Sequence, residues 1–105
     1  MNKAKTAEFP SDLARLAELC RAISHPARLS ILQTLAERGE CICGEIVDVV
    51  PLAQSTVSQH LKQLRDVGLI QGEIDGPRSC YCLNKKTVQE LTRAFEKIVK
   101  TGCCC

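Results

Sequence analysis

Residues 54–70, which read QSTVSQHLKQLRDVGLI, decide the predicted fold. The apolar side chains Val57, Leu61 and Leu64 recur at helical spacing, which predicts one buried face on a helix that begins near Gln54. Gly68 suits the left-handed backbone position that follows a helix. The stretch therefore predicts an amphipathic helix that stops at Gly68 and leads into a strand.

The segments on either side of this helix predict a helix-turn-helix with a wing. Upstream, a short helix over residues 45–50 ends before the tight connection Pro51-Leu52-Ala53. Downstream, Asp75-Gly76 marks the turn between an alternating apolar and polar stretch and a return strand over residues 79–83. Two short helices followed by a hairpin are typical of a winged helix-turn-helix, whose second helix lies in the DNA major groove.

Two further helices precede this unit and one follows it. Ser11 caps the first, Pro26 lies in the first turn of the second, and Asn84 caps the last. The prediction is a mostly helical α+β fold with four helices, a β-hairpin wing and a C-terminal helix. Along the chain we expect a flexible arm, a winged helix-turn-helix domain for DNA binding and dimerisation, and a cysteine-rich tail: residues 1–10, 11–101 and 102–105.

Length and composition limit what the chain can be. Its 105 residues have room for one domain, and with only 3% aromatic residues the core is so small that a subunit interface would help to stabilise it. No apolar run approaches the ~20 residues that cross a bilayer, and the N-terminus has no secretory pattern, so we expect a cytoplasmic protein. In that reducing compartment, the eight cysteines indicate metal binding or redox sensing.

The polar face of the helix that begins near Gln54 carries candidate DNA contacts. Its side chains are short or planar hydrogen-bonding groups, which suit base edges and phosphates. Lys62 would reach a phosphate, and Arg78 near the hairpin tip would enter the minor groove or touch the DNA backbone. Periodicity alone also fits an ordinary solvated face, and the net charge of +2 does not decide between the two. The candidate reading residues are Gln54, Ser55, Thr56, Ser58, Gln59 and His60.

Several motifs, in the expected order, resemble the ArsR/SmtB family of bacterial metal-responsive repressors. Residues 54–61 and 64–70 resemble that family's recognition helix, and His25-Pro-Ala-Arg-Leu29 resembles the opening of its second helix. Residues 40–43 resemble the segment that carries metal-binding cysteines in arsenic- and cadmium-sensing members. The resemblance covers residues 13–99, nearly the whole chain.

This resemblance implies a homodimer joined through the first and fifth helices, with two recognition helices on a palindromic operator whose half-sites lie roughly 34 Å apart. It also implies repression that is relieved when a thiol-binding ion such as arsenite, As(III), binds. The apolar faces of the same two helices agree independently with a dimer. Ala53 departs from the family, because members often have a capping residue there and alanine costs about 1 kcal/mol relative to serine.

Two Cys-x-Cys pairs are the first candidate for the ion site. In extended backbone residues i and i+2 share a side, so both cysteines of a pair point outward while the residue between them points into the core. In winged helices the segment before the third helix pairs with the return strand, ~4.8 Å away. As(III) would use three of the facing thiolates, and cadmium, lead or zinc all four. Alternatively, one pair is only small strand filler. The pairs are Cys41/Cys43 and Cys80/Cys82.

Positions outside the two Cys-x-Cys pairs say less about the ion site. Ile46 stands where arsenic-sensing relatives often have a third cysteine, so the second Cys-x-Cys pair would supply the missing ligand. Cys20 lies on an apolar stripe and is predicted to be a core residue. Residues 87–100 contain no histidine or aspartate, which argues against the zinc-sensing type of the family. The last three residues form a second or accessory ion site, or a disordered tail: Cys103, Cys104 and Cys105.

Three other classes of protein predict different sequence features. A thiol arsenate reductase or phosphatase needs an arginine six residues after its cysteine, and none of the cysteines has one, so no enzyme is predicted. A metallothionein-like buffer would not need the ordered helical pattern. A thiol redox switch on the same DNA-binding fold stays open, because the Cys-x-Cys pairs would form disulfides if their geometry allows.

Overall fold

The computed structural model describes residues 9–39, 41–43, 53–73 and 80–101. The predicted helix over residues 45–50, the hairpin tip with Arg78, and the tail cysteines Cys103, Cys104 and Cys105 lie outside the described residues. In chain order the elements are α1 (Ser11–Ile23), α2 (Pro26–Glu37), β1 (Cys41–Cys43), α3 (Gln54–Asp66), β2 (Ile70–Glu73), β3 (Cys80–Leu83) and α4 (Lys85–Thr101). This is the predicted mostly helical fold with a small antiparallel sheet. None of the helices in the described ranges is long and apolar enough to cross a membrane.

The sheet has three antiparallel strands in the order β1-β3-β2. β3 is therefore the central strand, and it pairs with β1 as predicted, with Ile42 opposite Tyr81. Ile42 and Tyr81 are buried at 9% and 1% exposure, so this face of the sheet covers the core. Because side chains alternate along a strand, the cysteines on either side of these two residues lie on the opposite face.

The core lies between this sheet face and the helices. α3 buries Val57, Leu61 and Leu64, the three residues that the sequence pattern predicted. Ile70 at the start of β2 is also buried, so α3 and β2 share one core. The largest fully buried side chains are Leu19, Ile31, Leu35, Leu64, Leu69, Ile70 and Tyr81.

The apolar residues of the first two helices are not all buried. Leu13 is 43% exposed and Leu29 is 50% exposed, although both are spaced as one face of a helix. α1 buries Leu16, Leu19 and Ala22. Each helix carries apolar residues over more than one face, and only packing against the rest of the chain decides which face turns inward.

The helix ends are stabilised in different ways. Asn84 caps α4 as predicted, since its Oδ1 accepts a hydrogen bond from the Lys86 backbone N–H at 3.2 Å. Ser11 does not cap α1, because Pro10 occupies the N-cap position without a side-chain bond. Ala53 likewise gives α3 no side-chain cap. Gly68 has φ of 87°, the left-handed conformation predicted after α3.

Tyr81 buries a hydroxyl group in this core. Among the described residues, its Oη atom has no hydrogen-bond partner. A buried hydroxyl without a partner costs about 1–3 kcal/mol. Burial also raises the pKa of Tyr81 to about 12.

The Tyr81→Phe variant should therefore be more stable than the wild type by about 1 kcal/mol, since it removes an unsatisfied polar atom and keeps the ring. Above pH 10.0 the unfolded chain ionises Tyr81 while the native protein keeps it neutral up to about 12, so the wild type loses stability across that interval. The variant should lack this part of the alkaline loss. Urea unfolding at neutral and alkaline pH measures both effects. A variant less stable than the wild type would show that the hydroxyl has a partner.

Candidate DNA-reading helix and cysteine cluster

The outward face of α3 presents most of the predicted DNA-reading side chains. Ser55, Gln59 and Lys62 are exposed, and Thr56 and Ser58 are half-buried. The side chain of Gln54, at the start of α3, and Arg78 lie outside the described residues. The face is polar and carries hydrogen-bond donors and acceptors along successive turns, as a helix that reads base edges requires.

His60 does not belong to this face, and the expectation that it points outward is wrong. Only 8% of the residue is exposed. Its Nδ1 accepts a hydrogen bond from Nε of Arg28 at 3.1 Å. Its ring lies 4.5 Å from the ring of His25, between centroids. Position 60 follows the inward-facing Val57 by three residues, which turns the imidazole toward α2 rather than toward solvent.

A second arginine ties the far end of α3 to the two outer helices. Arg15 on α1 donates from Nη2 to the carbonyl oxygen of Val67 at 2.8 Å. Its Nε also forms an ion pair with Glu90 on α4 at 2.9 Å. The ion pair is half-exposed and contributes little to stability, but it fixes the direction of the Arg15 side chain. No local sequence pattern indicates this contact, since Arg15 and Glu90 are 75 positions apart.

The four cysteines of the two Cys-x-Cys pairs come together on the outward face of the sheet. Cys41 lies opposite Cys82 and Cys43 opposite Cys80, with 4.0 Å between the Cα atoms of each pair. We call these four residues the cysteine cluster. Cys41 and Cys43 are exposed, and Cys80 and Cys82 are half-buried. A dissolved ion or a small oxidant therefore has access to the cluster.

The structure joins the facing cysteines as the disulfides Cys41–Cys82 and Cys43–Cys80. When reduced, the same positions present four thiols on one small patch, because neighbours along a strand are only about 6.7 Å apart. The chemistry available to the cluster is thus soft-ion binding in the reduced form and disulfide formation in the oxidised form. Cys20, half-buried on α1, is the free cysteine of the described residues and lies outside the cluster.

The cluster is joined to α3 through the sheet. β3, which carries Cys80 and Cys82, pairs with β2, and β2 follows α3 after Gly68. The backbone N–H of Asn84, directly after β3, donates to the carbonyl oxygen of Leu69 at 2.9 Å. A shift of β3 would therefore move the chain segment where α3 ends.

Comparison with known proteins identifies the family. A family profile described as a helix-turn-helix domain matches residues 23–73. The arsenical resistance operon repressor of Bacillus subtilis is 36% identical over 104 residues, which cover 92% of this chain and 98% of that protein. The chain belongs to the ArsR/SmtB family of winged-helix transcriptional regulators.

Two further comparisons agree, one in sequence and one in fold. The HTH-type transcriptional regulator YgaV of Escherichia coli is 32% identical over 92 residues, covering 88% of this chain and 93% of that protein. The solved structure of an ArsR-like transcriptional regulator from Rhodococcus sp. RHA1 has the same fold, with a TM-score of 0.71 at 21% identity over 88% of this chain and 86% of that one. As an ArsR/SmtB-family member the protein is a transcriptional regulator and not an enzyme.

Proposed function

We propose that this ArsR/SmtB-family regulator represses transcription as an operator-bound homodimer and is released when As(III) or a similar thiol-binding ion binds the reduced cysteine cluster. The observation that carries the proposal is the cross-strand placement of Cys41 opposite Cys82 and Cys43 opposite Cys80. The similarity to an arsenical resistance operon repressor over nearly the whole chain supports it.

The chemistry of the cluster suits a soft ion. Arsenous acid exchanges its three hydroxyl groups for three thiols, which forms three As–S bonds and releases three molecules of water. Cadmium, lead or zinc would bind all four thiolates in a tetrahedral arrangement. Either reaction needs reduced thiols, which fits a protein that works on DNA in the reducing cytoplasm. The tail residues Cys103, Cys104 and Cys105 form an accessory site in this proposal.

Ion binding would act on DNA affinity through β3. Drawing the thiolates together around one ion changes the spacing of β1 and β3. β3 pairs with the wing strand β2, and Asn84 directly after β3 bonds Leu69 in the connection between α3 and β2. The ion-bound form then presents α3 and the wing at a different relative angle. Because ion and operator favour different arrangements, each lowers affinity for the other.

The homodimer would form through an apolar face on α1 and α4. We call Leu13, Phe95, Ile98 and Val99 the dimer face. They are 43–70% exposed, although their side chains are large and apolar. A cavity of about 300 Å³ opens between the two helices and is lined by Leu13, Leu16, Ala94 and Ile98 among others. A second copy of the chain would fill this cavity and remove the exposed apolar surface from water.

The ion-binding proposal is tested by the Cys80→Ser/Cys82→Ser variant. The test titrates protein onto a duplex that carries the palindrome upstream of its own gene, in a non-thiol reductant, with and without arsenite. Arsenite should lower the operator affinity of the wild type by about 10-fold or more and leave that of the variant unchanged, since the variant keeps only two thiols in the cluster. Cys20→Ser is the matched control and should respond as the wild type does.

A chain truncated after Gly102 separates the cluster from the tail. If arsenite still releases the truncated protein, the cluster is the sensor. If the double-serine variant responds fully and the truncated protein does not, the tail holds the ion and the proposed site is wrong.

A redox switch on the same DNA-binding fold is the second candidate, because the structure pairs all four cluster sulfurs as disulfides. Each disulfide forms as two thiols give up two electrons and two protons to an oxidant such as hydrogen peroxide, which becomes two molecules of water. Hydrogen peroxide without arsenite should then release the operator. A response to peroxide alone, with none to arsenite under reduction, would select the switch over the ion sensor.

A further inference from the structure

Arg28 forms a bridge between α1 and the recognition helix α3. From α2, its Nη1 donates to the carbonyl oxygen of Ala22 at 3.1 Å and to that of Arg21 at 3.4 Å, at the end of α1. Its Nε donates to Nδ1 of His60 in the middle of α3 at 3.1 Å. One planar guanidinium therefore bonds the last turn of α1 and α3 at the same time.

We propose that Arg28 and His60 are positioning residues for operator recognition, because their hydrogen bond holds the polar face of α3 at the rotation from which it reads DNA. This rests on the DNA-binding half of the proposed function and not on the ion. The apolar contacts of Val57, Leu61 and Leu64 keep α3 on the core but resist rotation about its axis weakly, since such contacts are non-directional. A hydrogen bond is directional. The bond from Arg28 ends on His60, the residue directly after Gln59 of the reading face, so it holds that face at one rotation about the helix axis.

The bond requires a particular protonation state of His60. Nδ1 accepts a hydrogen bond from Arg28, so the imidazole must be neutral and carry its own proton on Nε2. Burial, His25 and Arg28 together lower the pKa of His60 below its usual 6.5. His25, the N-cap residue of α2, and Arg28 in its first turn are the charged or titratable groups that act on His60. The carbonyl oxygens at the end of α1 accept hydrogen bonds from Arg28. Protonation at acid pH turns Nδ1 into a donor and breaks the bond.

Two substitutions that replace the His60 imidazole with an uncharged amide separate the effect of its hydrogen bond from the effect of its burial. In His60→Asn the amide oxygen lies near the former Nδ1 and accepts from Arg28, and the side chain does not titrate. In His60→Gln the amide lies near the former Nε2, which leaves Arg28 without its acceptor. Operator affinity is measured by titration at a series of pH values from about 7.5 down to about 4.5, because the pKa of His60 lies below the usual 6.5. Binding to a scrambled duplex of the same length is measured in parallel.

At about pH 7.5, His60→Asn should bind the operator within about 2-fold of the wild type, and His60→Gln about 10-fold more weakly, as expected for loss of a hydrogen bond to a charged group. As the pH falls through the lowered pKa of His60, the wild type should lose operator affinity relative to His60→Asn. Affinity for the scrambled duplex should be the same in all three proteins, because phosphate contacts tolerate a rotated helix.

Three outcomes would overturn the inference: wild-type affinity in His60→Gln, an equal acid loss in His60→Asn, or a parallel loss on the scrambled duplex. If His60→Gln fails to fold, Arg28→Lys replaces it, since lysine lacks the planar fork that reaches α1 and His60 together. A wild type that prefers no operator at all would instead refute the proposed function.

Discussion

The Ile98→Glu variant should be monomeric and should bind its operator about 100-fold more weakly than the wild type. Ile98 is 50% exposed and lines the cavity between α1 and α4. In the proposed dimer the same face of both chains forms the interface, so the substitution places two glutamates in apolar surroundings. Burying an unpaired carboxylate costs several kcal/mol, which opposes dimerisation. A monomer engages only one half-site, so it loses the gain in affinity that comes from two linked contacts.

Sedimentation equilibrium and operator titration test this prediction together. Gln89→Glu is the matched control, because Gln89 is an exposed residue of the same helix outside the dimer face and the change in charge is identical. The control should remain a dimer with wild-type affinity. A dimeric Ile98→Glu protein would show that the α1–α4 face is not the interface, and circular dichroism would confirm that the variant is folded.

The Gly72→Ala variant should lose about 3 kcal/mol of stability, more than any surface substitution in this protein. Gly72 lies opposite Tyr81 in the pairing of β2 with β3 and has φ of 127°, a conformation that other residues rarely adopt. A Cβ atom there would overlap the carbonyl oxygen of Cys80 and lie 2.9 Å from Cα of Tyr81. Backbone strain and overlap cost about 1–3 kcal/mol each.

Gly39→Ala separates these two costs. Gly39 also has a positive φ, 85°, but a Cβ atom there would meet no described atom within 4 Å. Its loss should be about 1 kcal/mol, from strain alone. Urea unfolding measures both variants. Equal losses at the two positions would mean that β2 and β3 do not approach as closely as the structure shows, and the placement of Cys80 in the cluster would need revision.

Local pattern explains why so much of the fold and of the cluster was predictable. The burial of Val57, Leu61 and Leu64 follows from helical periodicity, and the outward side of the cysteines follows from alternation along a strand. The pairing of β1 with β3 came from the layout of winged helices and placed the four cysteines on one patch. Sequence alone left open whether the pairs form disulfides, because that depends on the 4.0 Å between the Cα atoms of facing cysteines, which only the sheet register brings about.

The sequence by itself therefore determined the order of elements, the buried face of α3 and the shared face of the cysteines, because each depends on residues within a few positions of one another. Tertiary structure alone decided that His60 turns inward to Arg28, that Arg15 joins Val67 to Glu90, and that Leu13 stays exposed. These contacts join residues 32 to 75 positions apart. Their partners are selected when helices pack and buried polar atoms must find hydrogen bonds, and no local periodicity encodes that choice.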